Sequence, residues 1–251
     1  SSPVIVSLFI NVSVTRVSLK RAKQLYHTTG FLDLFLALLP VQRLAAGQSP
    51  FGAHPESSEQ RHFDIYREGK QIGTHTISRR SLDNRLVVEA RTRISIKLLG
   101  IELYRFRYDT REVWDGDGLL QLVASVDDDG EQISFEGQRT GDRFVWSDGR
   151  TESSHAMPVY PTNHWNAGVL GQNAVLNTLT GKINNVTIMD EGRETLDYAG
   201  SSQPASRYRY DGELQLVSWY DSQGRWLAMR FTTDDGSTIE YRCRNCTGQD
   251  A

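Results

Sequence analysis

The sequence predicts an all-β domain, an antiparallel meander forming a strongly curved sheet or barrel, a carrier-like half-barrel. Three observations carry this: apolar and polar residues alternate from His62 onward, such runs recur about a dozen times, and glycine-bearing turn pairs separate them. A helix would scatter both sets of side chains around its circumference, whereas a strand sends alternate residues to opposite faces. The clearest run is 86–97. There Leu86, Val88, Ala90, Thr92, Ile94 and Ile96 share one face, and Val87, Glu89, Arg91, Arg93, Ser95 and Lys97 share the other. The next run opposes Tyr104, Phe106 and Tyr108 to Arg105, Arg107 and Asp109.

In chain order, the strands before and after these two are expected at 62–67, 71–78, 119–126, 131–138, 143–147, 183–189, 193–198, 206–210, 214–220, 225–231 and 237–243. Between them stand Glu68-Gly69, Asp83-Asn84, Gly100, Asp115-Gly116-Asp117-Gly118, Asp129-Gly130, Thr140-Gly141, Asp148-Gly149, Asp211-Gly212, Gln223-Gly224 and Asp235-Gly236. Such residues accept the positive φ that tight hairpins require. No βαβ rhythm and no glycine-rich phosphate loop after a strand is present, which argues against nucleotide-binding α/β folds.

The interval 150–181 breaks the alternation. Pro158-Val159-Tyr160-Pro161-Thr162-Asn163-His164-Trp165-Asn166 has turn and capping character. Thr162 or Asn163 is the expected cap of a short helical insert near 162–172, with Trp165 and Val169 on one face. Placed across the mouth or one end of a curved sheet, this insert is the leading candidate for ligand contact. His164, Trp165 and Asn166 are its candidate ligand-binding residues, together with the aromatic face Tyr104, Phe106 and Tyr108. The competing reading has Trp165 filling the core and His164 bonded to backbone.

The 251 residues carry 28 Lys and Arg against 31 Asp and Glu, a formal charge of −3. That balance is unevenly distributed. Residues 1–60 hold five basic and three acidic side chains, which leaves the remainder net −5. No nucleic-acid partner is expected of such a domain. No apolar run reaches the roughly 18 residues of a membrane-spanning helix, which excludes multi-span insertion.

The first 47 residues read as a leader. Arg16 to Lys23 forms a basic region, Phe31 to Leu39 is mostly apolar despite Asp33, and Ala45-Ala46-Gly47 supplies small residues. This is the layout of a secretory signal peptide, preceded by an upstream extension of the reading frame. Residues 48–60 form a polar linker, 61–246 a single β domain and 247–251 a tail. The expected location is the periplasm or another exported compartment.

Catalytic signatures are sparse. The six histidines stand at 27, 54, 62, 75, 155 and 164, with no pair at the helical metal-binding spacing. No Gly-x-Ser-x-Gly elbow occurs, and Asp127-Asp128-Asp129 and Asp234-Asp235 fall in expected turns. No cofactor, metal site or catalytic residue is assigned. Arg91, Arg93, Arg105 and Arg107 form a guanidinium ladder, read either as an anion site or as a solvated face paired with Glu89 and Asp109. Cys243 and Cys246 are compatible with half a zinc site, a redox motif or a short disulfide; export favours the disulfide.

Several motifs carry a family resemblance. Phe63-Asp64-Ile65-Tyr66, Gly69-Lys70-Gln71-Ile72-Gly73, Asn163-His164-Trp165-Asn166, Val175-Leu176-Asn177-Thr178-Leu179-Thr180-Gly181, Trp219-Tyr220-Asp221, Gly224-Arg225-Trp226 and 235–241, leading into Cys243 and Cys246, resemble domain of unknown function family 6134. The resemblance spans nearly all of 61–246. It implies a bacterial, exported, β-rich protein, and it implies no reaction. The expected function is a periplasmic or envelope binding or carrier protein for a hydrophobic small molecule or lipid. The alternatives are a small-molecule enzyme using His164, with Asn166 or His155, inside the barrel, and an envelope scaffold without a ligand.

Overall fold

The computed structural model describes residues 58–82, 84–198 and 201–246. The leader, most of the linker, Asp83 of one expected turn, and the tail lie outside the described residues. Fourteen strands form one antiparallel sheet: β1 (Ser58–Arg67), β2 (Lys70–Leu82), β3 (Arg85–Leu98), β4 (Ile101–Asp115), β5 (Gly118–Asp128), β6 (Glu131–Thr140), β7 (Arg143–Ser147), β8 (Glu152–Ala156), β9 (Ala174–Asn177), β10 (Lys182–Tyr198), β11 (Ser201–Gly212), β12 (Leu216–Tyr220), β13 (Trp226–Thr232) and β14 (Thr238–Cys243). The order runs β8 back to β1, then β14 back to β9, so β1 and β14 pair at the middle and β8 and β9 are the edges. The all-β antiparallel expectation holds, and the sheet is not closed by hydrogen bonds between its edges.

Alternation builds the interior as the sequence indicates. On β3, Val88, Ala90, Thr92 and Ile94 are buried while Arg91, Arg93 and Ser95 are exposed. Tyr104, Phe106 and Tyr108 continue this face on β4. Register shifts at Ile65/Tyr66, Ile96/Lys97, Val113/Trp114, Asp190/Arg193 and Trp219/Tyr220 are the bulges that bend the strands. One edge folds back toward the other: the Trp146 indole on β7 donates to the Gly181 carbonyl, in the turn after β9, at 2.7 Å. The space between β8 and β9 is crossed by the chain itself. Pro161 bridges Leu176 in parallel, Thr162 N donates to Leu176 O at 3.0 Å, and Leu176 N to Tyr160 O at 2.9 Å.

Four sequence expectations are corrected. The interval 150–181 contains β8 and β9, too short and too polar to show alternation. The runs 183–189 and 193–198 are one strand, β10, interrupted by a bulge. The helical insert shrinks to a 3-10 helix, Ala167–Gly171, whose cap is Asn166, its side chain accepting from Gly168 N at 2.9 Å. Thr162 and Asn163 do not cap it, because both side chains are taken up by a network with β4 and with Thr178, beyond β9.

The arginine ladder belongs to the solvated outer face. Arg93 meets Asp109 at 2.6 Å, Arg91 meets Glu89 at 3.1 Å, and Arg105 meets Asp127 at 3.4 Å. Exposed pairs of this kind contribute about 0–1 kcal/mol each. At the tip of the β3–β4 hairpin, Leu98, Leu99, Ile101 and Leu103 are exposed, Leu99 at 95%.

Candidate functional site

The site is built where the insert turns inward. Trp165 N donates to Asn163 O at 2.8 Å, closing a three-residue turn around His164, whose φ is 60°. A non-glycine residue in the left-handed region requires its surroundings to hold it there. Those surroundings are specific. The Asn163 side chain donates to Thr110 Oγ1 at 3.1 Å and to Glu112 Oε1, and accepts from the Tyr108 hydroxyl. Tyr108 also meets Thr178 Oγ1 at 2.7 Å. On the other side of His164, the Trp165 indole donates to Glu112 Oε2 at 2.9 Å, and the His164 carbonyl accepts from the Tyr220 hydroxyl at 3.0 Å.

Glu112 anchors this arrangement. It is 0% exposed, and its Oε2 also accepts from the Trp114 indole at 2.7 Å. Burial raises its carboxyl pKa, opposed by the N–H donors of Trp165, Trp114 and Asn163. Every one of these side-chain partners is a donor, the complement of a carboxylate.

Beside the turn lies a cavity of about 80 Å³. Its apolar wall includes Phe106, Leu179, Leu216, Met229, Phe231 and Trp226, and its polar groups include His75, His164, Asn163 and Tyr108. The His75 and His164 rings each lie 5.7 Å from the Trp226 ring. His75 uses Nδ1 on Thr92 Oγ1 at 2.8 Å, leaving Nε2 buried without a partner. His164 Nδ1 is likewise buried and unpartnered. Burial lowers the His164 pKa to about 4; burial, then the neighbouring His164, lowers His75 to about 3. Both rings are therefore neutral near pH 7. The site can offer an apolar wall and uncharged imidazole nitrogens able to exchange hydrogen bonds with a ligand.

A second pocket, of about 230 Å³, lies on another side of Trp226 and is polar. Arg61, Arg79, Arg225, Trp165, Asn166 and Gly224 are among its walls. Arg61 and Arg79 extend the inward faces of their strands, two residues before Phe63 and two after Ile77.

Of the candidate residues, Phe106, Tyr108 and His164 line the cavity, and Trp165 and Asn166 line the polar pocket. Tyr104 is buried elsewhere, its hydroxyl on Asp128 Oδ1 at 2.7 Å. His155 sits on β8 opposite Phe144 and lines neither pocket. Sequence reasoning missed His75 and Glu112. Both were within reach by counting in twos, His75 from Ile77 and Glu112 from Tyr108, each an ionisable residue on a buried strand face. No group of three or more His, Cys, Asp or Glu side chains suited to a metal ion occurs among the described residues. Nor is any helix among them long and apolar enough to cross a membrane.

The fold is similar to that of a solved structure, a β-barrel-like protein of domain of unknown function DUF1849 from Brucella abortus. The match has a TM-score of 0.53 at 8% identity and covers 73% of this chain and 94% of that one. No curated protein sequence matches the chain. The family model for a domain of unknown function (DUF6134) matches residues 63–244, and the chain belongs to that family.

Proposed function

We propose that the chain is an exported binding or carrier protein for a small hydrophobic molecule held inside the curled sheet. The observation that carries this is the cavity itself, with mostly apolar walls and two neutral histidines, each with one buried ring nitrogen, His75 Nε2 and His164 Nδ1, that has no protein partner. A buried polar atom without a partner costs about 1–3 kcal/mol, and a ligand or water hydrogen-bonding there removes that cost. At about 80 Å³ the cavity admits a group of a few carbons, or one end of a longer chain, and is smaller than the roughly 300–1,000 Å³ typical of drug-sized sites.

Export is supported by the leader pattern and by the cysteines. Cys243 and Cys246 are buried at a Cα–Cα distance of 5.6 Å, the separation of a bridged pair. We read them as a disulfide closing the end of β14, to be checked by a thiol count on non-reduced protein. N-terminal sequencing of exported protein should find a start after residue 40.

An enzymatic reading, with His164 as general base, is favoured by its left-handed backbone and unpartnered Nδ1. A pKa of about 4 makes that imidazole a weak base near neutrality, which favours binding over proton abstraction. The test is native mass spectrometry of purified protein, with organic extraction and titration with 1-hexanol followed by tryptophan fluorescence. A co-purifying apolar molecule or saturable hexanol binding, lost in Met229→Trp with its filled cavity, supports the reading. A protein that takes up neither overturns it.

A further inference from the structure

The polar pocket at Trp226 has a chemistry of its own. Three guanidinium groups, Arg61, Arg79 and Arg225, reach its walls. Two carboxylates partner them, Glu59 with Arg61 at 2.6 Å and Arg79 at 3.2 Å, and Asp221 with Arg225 at 2.5 Å. Neither carboxylate lines the pocket, so the charges facing its interior are cationic, and three cations against two anions leave a net positive charge.

The arginines are also held for use. Arg61 is buried and reaches the Trp226 carbonyl at 3.4 Å. Arg79 lies over the Trp165 ring at 5.2 Å, and its Nε is buried without a hydrogen-bond partner. Arg225 N donates to Asp221 Oδ1 at 2.8 Å, fixing the β12–β13 turn from which its side chain projects. Planar guanidiniums fixed at inward positions match the geometry of a carboxylate or phosphate. Arg91, Arg93 and Arg105, which pair with Glu89, Asp109 and Asp127, stand on the outer face of the sheet. Arg61 and Arg79 occupy positions that the strand period assigns to the interior, where a charge is costly unless something anionic meets it, and they share a single carboxylate, Glu59, which stands outside the pocket.

We propose that this pocket binds an oxyanion, a carboxylate or a phosphate group, and that with the cavity behind Trp226 it selects an acidic amphiphile over a neutral one. Trp226 lines both chambers. A ligand occupying both places its acid among the arginines and its apolar end toward the two histidines, which, being uncharged, do not compete for the acid. The amphiphile part rests on the cavity reading; the anion part stands without it.

The experiment titrates the full chain with inorganic phosphate, 1-hexanol and hexanoate, followed by calorimetry and by the fluorescence of Trp165 and Trp226. Wild-type protein should bind hexanoate at least tenfold more tightly than hexanol at low salt, with phosphate competing against hexanoate. Arg79→Gln should erase that preference while leaving hexanol binding unchanged. If the variant fails to fold, added salt on the wild type gives the same readout, because screening weakens the charged interaction and spares the neutral one. Equal affinity for hexanoate and hexanol, with no effect of phosphate, overturns the anion site and leaves the cavity reading standing. Phosphate binding that Arg79→Gln abolishes, without hexanol binding, supports the anion site and overturns the amphiphile part together with the cavity reading. Phosphate binding that is unchanged in Arg79→Gln overturns the site at these arginines.

Discussion

The buried carboxylate of Glu112 accepts the indole N–H of Trp165 at 2.9 Å, so a residue near the end of β4 fixes the segment that crosses between the sheet edges. With Asn163 held by the same carboxylate, the residues on both sides of His164 share one anchor. Glu112 acts on the cavity through them, as a positioning residue.

Replacing that anchor should therefore be costly. Glu112→Ala leaves the Trp114 and Trp165 indoles and the Asn163 amide without their acceptor, and the expected loss is about 3 kcal/mol or more in urea denaturation. Burial raises the Glu112 pKa above 4.5, so folding favours the protonated form. Stability relative to Glu112→Gln should be full below pH 4.5 and should decline as pH rises through the folded value. A flat difference across that range would show that the carboxyl does not titrate differently in the folded chain.

The two buried histidines should make the protein acid-sensitive. Both have folded pKa values far below 6.5, about 4 for His164 and about 3 for His75, so the unfolded chain takes up protons first as pH falls. The stabilisation is complete above pH 6.5 and is lost as pH falls through the folded values. At pH 5 each histidine should have cost about 2 kcal/mol relative to pH 7. His164→Phe and His75→Phe should each remove about half of the acid slope. Identical slopes in all three proteins would refute the assignment.

Gly73 and Gly69 separate two kinds of glycine requirement. A Cβ on Gly73 would lie 2.3 Å from the Arg93 carbonyl oxygen, beside the bulge that shifts the β1–β2 register. Gly73→Ala should lose about 1–3 kcal/mol through that overlap. Gly69, at φ +75°, has nothing within 4 Å, so Gly69→Ala pays only for its left-handed backbone, about 1 kcal/mol. Thermal unfolding of the pair should show the larger drop at Gly73.

At the β3–β4 tip, Leu99 has a φ of 50° and is 95% exposed, so the fold gains nothing from its side chain. Leu99→Gly should leave stability unchanged or raise it by up to about 1 kcal/mol. A fall in melting temperature would show that the left-handed backbone at this position costs less than the chain entropy that glycine adds.

The architecture was legible because burial on one face of a strand writes itself into every second residue. Val88, Ala90, Thr92 and Ile94 show this, as does their continuation on Tyr104, Phe106 and Tyr108. β8 and β9 were not legible: one reads Glu152-Ser153-Ser154-His155-Ala156, a polar edge strand, and the other is four residues long. His164 and Trp165 stood out through the break in alternation around them. Their partners did not, since His75 and Glu112 meet them only after β2, β4 and the insert are folded together, and no local spacing records that meeting. Arg61 and Arg79 were hidden by the opposite effect, since an arginine in a strand is read as an outer-face residue until the register says otherwise.

The pairing of β1 with β14 sets Phe63 opposite Cys243, across nearly the whole domain. A chain made or threaded from its amino end can form the β1–β8 meander early, but the outer border of β1 must wait for the last strand. Until Thr238 to Cys243 emerges, the protein is two half-sheets, each with one unpaired border, β1 or β13, that the finished sheet does not have. Chaperone dependence and the danger of pairing with another copy should be concentrated in that interval, and removal of β14 should trap the chain there.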